Sequence, residues 1–454
     1  MAIFGGIFLF ANVAFAQDQD LNLKIFNGQT LRQEKLLSIV PTDFSGTTRL
    51  SLVDLGGDNQ KEILVSYGNI DKPIIKIFRN DGTLVNEWQP YPGGFAGEIV
   101  VVGADLDNDG KDEIITAPGA GGGPHVKIWD GYGNEKYDDF FALDNAYRQG
   151  IEIAAGDIDG DKTKEIIVSA IEGNKAVIKI FNCFGTQVYE NIYFELENSF
   201  EPMKISTLDL GLDKVEEIIA AQSSGNQPKI LFLRRDGTVI NQFLAYAPSF
   251  GGGVNLTSVK EDNYNLIITG AGFSGGPHIR FFDGFGKLQK DPRFFSYNEK
   301  FRGGVNVAWG DVTGDGQANL ITLPYFHNAA NHLYKYIDID LSEQKLEYYQ
   351  AGKLVAANVI SSGMRGMETP VGEYSIWQKN PRAYSRKYEL YMPYWMSFKP
   401  GYGIHELPEW EGGYKEGANH LGIPVSHGCV RLGVGPAEKL YNWADLGTPV
   451  FIHE

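Results

Sequence analysis

The chain has 454 residues and a formal net charge of −17, which excludes a surface built to bind nucleic-acid phosphates. Its 55 Gly, 27 Phe and 23 Tyr exclude a helical bundle and point to short strands joined by tight turns. That length predicts two or three domains.

The N-terminal stretch from Met1 to Val13 is apolar and too short to span a bilayer, and Ala14-Phe15-Ala16 forms a small-x-small site. It predicts a signal peptide over residues 1–16, although no positive charge precedes it. No later stretch is apolar for long enough to make a transmembrane helix, so the mature chain is expected outside the cytoplasm.

Residues 21–330 repeat. Acidic loops begin at Asp54, Asp105, Asp157, Asp209 and Asp311, each leading into a short apolar run such as Ile63-Leu64-Val65 or Ile166-Ile167-Val168. The gap between Asp209 and Asp311 is two periods, and a degenerate unit fits near Ser258 to Asp262. Bounded runs of this length read as buried strands. An alternating element ending in a glycine turn follows each run, as in Lys76-Ile77-Phe78 and Lys127-Ile128-Trp129. One copy, Lys24-Ile25-Phe26, opens the repeats without an acidic loop, and the loop at Asp311 has no clear copy after it. Pairing the first strand with the last unit resolves both facts and removes free sheet edges. The expectation is a β-propeller of about six blades, with an open solenoid as the alternative.

Two of the acidic loops place carboxylates at positions 1, 3, 5 and 9, a spacing that converges on one hard cation. One is Asp105, Asp107, Asp109 and Glu113, with the Lys111 carbonyl at position 7. The other is Asp157, Asp159, Asp161 and Glu165, with the Thr163 carbonyl. Both are candidate Ca²⁺ sites; the competing reading is an ordinary Asx turn between strands. The D-x-D-x-D-x-x-x-E pattern and the two Gly-Gly-Pro-His segments at 122–125 and 275–278 resemble the FG-GAP repeats of integrin-like propellers. That resemblance implies a domain over 21–332 that binds or positions a partner, such as an envelope protein or a glycan. It also makes His125 and His278 elements of the repeat.

After residue 333 the pattern changes. Tyr336–Leu341 and Leu346–Tyr349 form a hairpin, Lys353–Val355 and Val359–Ile360 continue as strands, and Thr369–Ile376 is a turn with a strand. Pro436–Trp443 is the one helix, with proline suited to its first turn, and Thr448–Ile452 is a closing strand. In this region Cys429, one of only two cysteines, follows His427 by two positions, and His405 lies upstream. A thiol near imidazoles is a candidate nucleophile with its base. A free nucleophile requires Cys183 and Cys429 to stay unbridged.

The segments Gly352–Val355, Thr369–Tyr374, Met392–Met396, Gly401–His405, Leu421–Leu432 and Gly447–Val450 together resemble an L,D-transpeptidase catalytic domain, here assigned to residues 333–454. The resemblance implies an exported envelope enzyme acting on peptidoglycan stem peptides without a catalytic cofactor. It makes Cys429 the nucleophile and His405 the base, with Gly428 and Cys429 N–H groups facing the oxyanion. His427 then shapes the loop, Ser426 fixes the turn, and Arg431 binds a stem carboxylate or forms a structural ion pair. Water or an envelope-protein lysine as acceptor would instead give an L,D-carboxypeptidase or a wall-attachment enzyme. In a different class stands a calcium-dependent adhesion protein with an inert C-terminal domain. Two features depart from the family pattern: Glu406 follows the base, and the Leu407–Asn419 loop is enlarged to suit a lid or substrate wall.

Overall fold

A computed structural model describes residues 22–453 except 42, 43, 45, 174, 196–200, 212, 262, 263, 274, 291, 292, 300, 326–334, 351, 352 and 445–447. The expected signal peptide and most of the connection between the two domains lie outside the described residues.

Residues 22–325 build six radial sheets, five of four strands and one of three among the described residues. Their innermost strands are Thr47–Val53, Ile99–Ala104, Glu152–Gly156, Lys204–Leu208, Val254–Glu261 and Val305–Gly310. They neighbour one another in that order, and the last lies beside the first, so the arrangement is a closed six-bladed propeller. The apolar runs after the acidic loops become the second strand of each blade. They are sealed on both faces because blades stack against blades: Ile63, Leu64, Val65, Ile166, Ile167 and Val168 are fully buried. The ring closes as the repeats required. Leu23–Asn27 pairs antiparallel with Asn319–Pro324, from Lys24 opposite Thr322 to Asn27 opposite Asn319. The degenerate unit is a direct hairpin, Val254–Glu261 with Tyr264–Ala271, with no room for a long acidic loop.

A cavity of about 430 Å³ follows the axis and is lined by all six inner strands. At the end where those strands begin, Arg49 donates to Glu98 (2.6 and 3.0 Å) and Glu152 (2.6 Å), and Lys204 also pairs with Glu152. Tyr325 donates to Glu98 (3.2 Å), and its ring lies 4.8 Å from the Arg49 guanidinium. Buried charges persist there because each has an opposite partner. The acidic loops follow the inner strands and so occupy the other face.

The C-terminal region folds around one nine-stranded sheet. Its order is Gly372–Ser375, Pro449–His453, Lys335–Asp340, Lys345–Gln350, Lys353–Ser361, Val430–Leu432, Tyr402–Glu406, Leu390–Lys399 and Gln378–Ser385. Two neighbouring pairs are parallel, 335–340 with 449–453 and 402–406 with 430–432. The helix at Pro436–Trp443 turns Ala437 and Leu440 into a core that includes Ile337, Ile360, Met396, Ile404, Val430 and Leu432. The strands Gln378–Ser385 and Leu390–Lys399 were not among the expected elements, and each contains a proline, Pro381 and Pro393. Pro393 sits opposite Arg382 in the pairing with Gln378–Ser385 and lies outside the Met396–Lys399 stretch that pairs with Tyr402–Ile404.

Candidate active site

The parallel pair Tyr402–Glu406 and Val430–Leu432 sets Ile404 beside Val430, His405 beside Arg431 and Glu406 beside Leu432. Side chains alternate across a sheet. Ile404, Val430 and Leu432 enter the core, so His405 and Arg431 occupy the other face, and Cys429, two residues before Arg431, falls on that face too. Cys183 lies in the propeller, and both cysteines are free thiols.

His405 is 3% exposed. Its Nδ1–H donates to the Glu406 carbonyl oxygen at 2.5 Å, which leaves Nε2 as the acceptor. The Trp395 ring lies 5.7 Å from the imidazole and restricts its rotation. Burial, opposed by the bond to Glu406 and aided by the Arg431 charge, holds the His405 pKa down to about 4. Burial pushes the Cys429 thiol up, opposed by the Gly403 N–H and by Arg431. At neutral pH the Cys429 thiol is therefore protonated and the His405 imidazole neutral, with its Nε2 able to accept a proton.

The turn before Cys429 is clamped. Ser426 Oγ donates to the Cys429 carbonyl at 2.5 Å and accepts the Gly428 N–H at 3.1 Å, and Thr369 Oγ1 donates to the Gly428 carbonyl at 3.0 Å. The Gly428 N–H, expected to face an oxyanion, is thus committed to Ser426. Gly428 has φ +105°, and a Cβ there would approach the Tyr402 ring to 2.6 Å, so only glycine fits. His427 is exposed and lies on the Tyr388 ring at 4.6 Å.

Arg431 is buried, and its Nη1 donates to both Glu416 oxygens, at 2.9 and 3.0 Å. Glu416 also pairs with His420 Nδ1 at 2.9 Å, which gives that histidine a partner. The buried Glu406 side chain accepts from Lys415 Nζ (2.8 Å) and from the Gly435 N–H at the helix start (3.2 Å). The enlarged loop is therefore a tethered hairpin. Glu409 exchanges backbone bonds with Tyr391, Trp410 N–H donates to Tyr414, and the Trp410 and Tyr414 rings lie 5.5 Å apart. Sequence reasoning missed Glu416, Trp395, Thr369 and Tyr388 as neighbours of the site. Thr369 and Trp395 sat within recognisable segments, but nothing in the sequence ties Glu416 to Arg431.

In the propeller, Asp105, Asp107 and Glu113 bring carboxylate oxygens within 4.8 Å of one another, as do Asp157, Asp159 and Glu165. The fifth-position carboxylates instead serve the loop backbone: Asp109 accepts the Lys111 N–H (2.8 Å) and Asp161 the Thr163 N–H (2.7 Å). Lys111 and Thr163 are exposed. The two loops differ in one respect. Lys136 Nζ lies among the carboxylates of the first, 2.8 Å from Asp107 and 2.5 Å from Glu113. Tyr137 and Tyr189 are equivalent, donating to Asp107 and Asp159 respectively, and the residue before Tyr189 is Val188. Burial with three neighbouring aspartates pushes Glu165 up to about 7. The first loop thus already holds an ammonium group among its carboxylates.

An imidazole on one strand and a thiol immediately before its parallel neighbour have the make-up of a cysteine–histidine nucleophile site. Residues 334–452 match the model of the L,D-transpeptidase catalytic domain, and the chain carries that domain behind its propeller. A Bacillus subtilis protein provisionally named an L,D-transpeptidase is 29% identical over 126 residues, 26% of this chain and 64% of that protein. The match thus spans less than two thirds of that relative. The crystal structure of an L,D-transpeptidase from Stackebrandtia nassauensis is 30% identical, covers 27% of this chain and 56% of that one, and has a TM-score of 0.23. The NMR structure of the catalytic domain of an Enterococcus faecium L,D-transpeptidase is 28% identical, covers 27% of this chain and 99% of that one, and has a TM-score of 0.22. Among the described residues no helix is long and apolar enough to cross a membrane.

Proposed function

We propose that the chain is an exported peptidoglycan L,D-transpeptidase of the cell envelope that works through a cysteine acyl-enzyme. The observation that carries this reading is the pairing of the His405 and Cys429 strands within the matched domain. Cys429 Sγ attacks the carbonyl between residues three and four of a stem tetrapeptide. His405 Nε2 takes the thiol proton and returns it to the departing amine of residue four, leaving a thioester. The Cys429 N–H serves the oxyanion, since the Gly428 N–H is engaged. The side-chain amine of a second stem then attacks the thioester and yields its proton through His405. The thiol is regenerated and a 3→3 crosslink is formed.

The propeller, an FG-GAP-like unit in this reading, positions the enzyme on an envelope protein or glycan. A Ca²⁺ ion held by Asp157, Asp159 and Glu165 would stiffen one of its loops. The test is mass spectrometry of products from a purified disaccharide tetrapeptide incubated with the full chain. A dimer supports transpeptidation. A tripeptide alone would make the protein an L,D-carboxypeptidase, and adducts formed only with added envelope protein would make it a wall-attachment enzyme. Cys429→Ala must abolish all three; turnover by that variant overturns the scheme.

A further inference from the structure

Five blades leave their third strand through the same five-residue turn, closed at Gly82, Gly133, Gly185, Gly237 and Gly286. What differs is the residue before that glycine. In two blades it is an aspartate that holds the turn: Asp81 accepts the Thr83 N–H and Asp236 the Thr238 N–H, both at 2.9 Å. In the other three, the first residue of the turn makes that bond instead. Asp130 accepts the Tyr132 and Asn134 N–H groups (2.8 and 2.9 Å), and Asn182 those of Phe184 and Thr186 (3.1 and 3.0 Å). Asp283 accepts those of Phe285 and Lys287, both at 2.9 Å. The residue before the glycine is thereby released from structural duty, and in all three blades it is aromatic. Tyr132 and Phe285 are 85% exposed and Phe184 72%. A single bare ring needs no explanation, but three at one position of a repeat do, because the turn gains nothing from them.

Strands alternate in direction along a blade, so these turns emerge on the face of the acidic loops. A Cβ on Gly131 would approach Leu55 to 2.7 Å and one on Gly284 would approach Leu210 to 2.8 Å, and both leucines belong to acidic loops. The Phe184 ring lies 5.6 Å from Tyr137, which donates to Asp107. Each ring therefore stands next to the acidic loop of a neighbouring blade, whose outer carboxylates, Asp58, Asp107 and Asp213, are exposed. That mixture selects among occupants. Carboxylates repel the anionic headgroups of a bilayer. Separate rings among polar loops lack the contiguous apolar core of a protein interface. A pyranose fits: its C–H face is one ring wide and stacks on an aromatic, and its hydroxyls donate to carboxylates.

We infer that this rim of the propeller binds the uncharged backbone of a glycan strand, with sugars stacked on Tyr132, Phe184 and Phe285. The inference rests on the positioning role proposed above and deepens it: the rings hold the sugar chain while the catalytic domain works on the stems. Three modest contacts on one rigid ring act together.

The test measures binding of the full chain to glycol chitin, a soluble uncharged polymer of N-acetylglucosamine, and to phosphatidylglycerol vesicles. The wild type is expected to bind the polymer. Tyr132→Ser, Phe184→Ser and Phe285→Ser together should weaken that binding about tenfold or more. The caps at Asp130, Asn182 and Asp283 remain, so this variant should melt as the wild type does. Hydroxyl-radical footprinting needs no variant: oxidation of the three rings in the wild type should drop when the polymer is added. The inference is overturned by a wild type that does not bind the polymer, by undiminished binding in the folded variant, or by unchanged oxidation. Binding to vesicles alone also overturns it and assigns the face to a bilayer. Turnover of a soluble disaccharide tetrapeptide is followed in parallel and should be equal in the two proteins. A wild type that binds the polymer but turns over no tetrapeptide refutes the transpeptidase reading and supports the glycan site.

Discussion

Acidification should expose the cost of burying His405. In the unfolded chain this imidazole takes a proton near its usual 6.5, whereas in the fold burial and the Arg431 charge delay protonation to about 4. The neutral form is therefore the one the fold accepts. The stability contribution is complete above about pH 6.5 and is lost progressively as the pH falls from 6.5 to 4. At about 1.4 kcal/mol per pH unit, that loss comes to about 3 kcal/mol. His405→Gln keeps a neutral side chain with no titration. Between pH 7 and pH 4 the wild-type catalytic domain should lose about 3 kcal/mol more than the variant does. Hydrogen exchange of peptides covering 402–432 reads the opening free energy of this domain separately from the propeller. The same burial predicts that carbapenem acylation of Cys429 holds steady down to about pH 5 and fails below pH 4. A histidine resonance missing from His405→Gln and titrating near 6.5 would refute the reasoning, as would parallel pH curves for the two proteins.

Gly428→Ala drives a methyl group into the Tyr402 ring at a positive φ. Acylation by a carbapenem, followed by intact-mass spectrometry, should slow about 100-fold as the Cys429 backbone shifts. Glu406→Ala removes the buried clamp on Lys415 and Gly435; unfolding should become easier by about 2 kcal/mol, with faster exchange over 407–416, and an unchanged melt would count against the clamp. In calorimetry with Ca²⁺, Val188→Lys should eliminate the site at Asp157, whereas Lys136→Met should create a second site at Asp105. Unaltered isotherms in both variants would dismiss the loops as cation sites.

Much of the architecture was legible because its signals are local and repeated. The apolar runs, the acidic turns and the unpaired Lys24–Phe26 element fixed the blade count and its closure, since a stacked blade needs the same pattern each time. The helix at Pro436–Trp443 was equally plain, with its proline start and amphipathic face. The two strands around Pro381 and Pro393 were hidden because proline is unfavourable in a ladder, and only the pairing of Gln378–Ser385 with Leu390–Lys399 shows that both are accommodated.

At the site, residue identity alone singled out Cys429 and His405 as candidates, and the family segments ranked His405 above the nearer His427. Which donors are free was decided only in three dimensions. Ser426 claims the Gly428 N–H, Glu416 reaches Arg431 from fifteen residues away, and Lys136 enters one acidic loop while Val188 leaves the next open. Sequence carries chemistry and period, because these reside in single residues and their spacing. Partnership between residues far apart in the chain is set by register and packing, and these exist only once the sheet has formed.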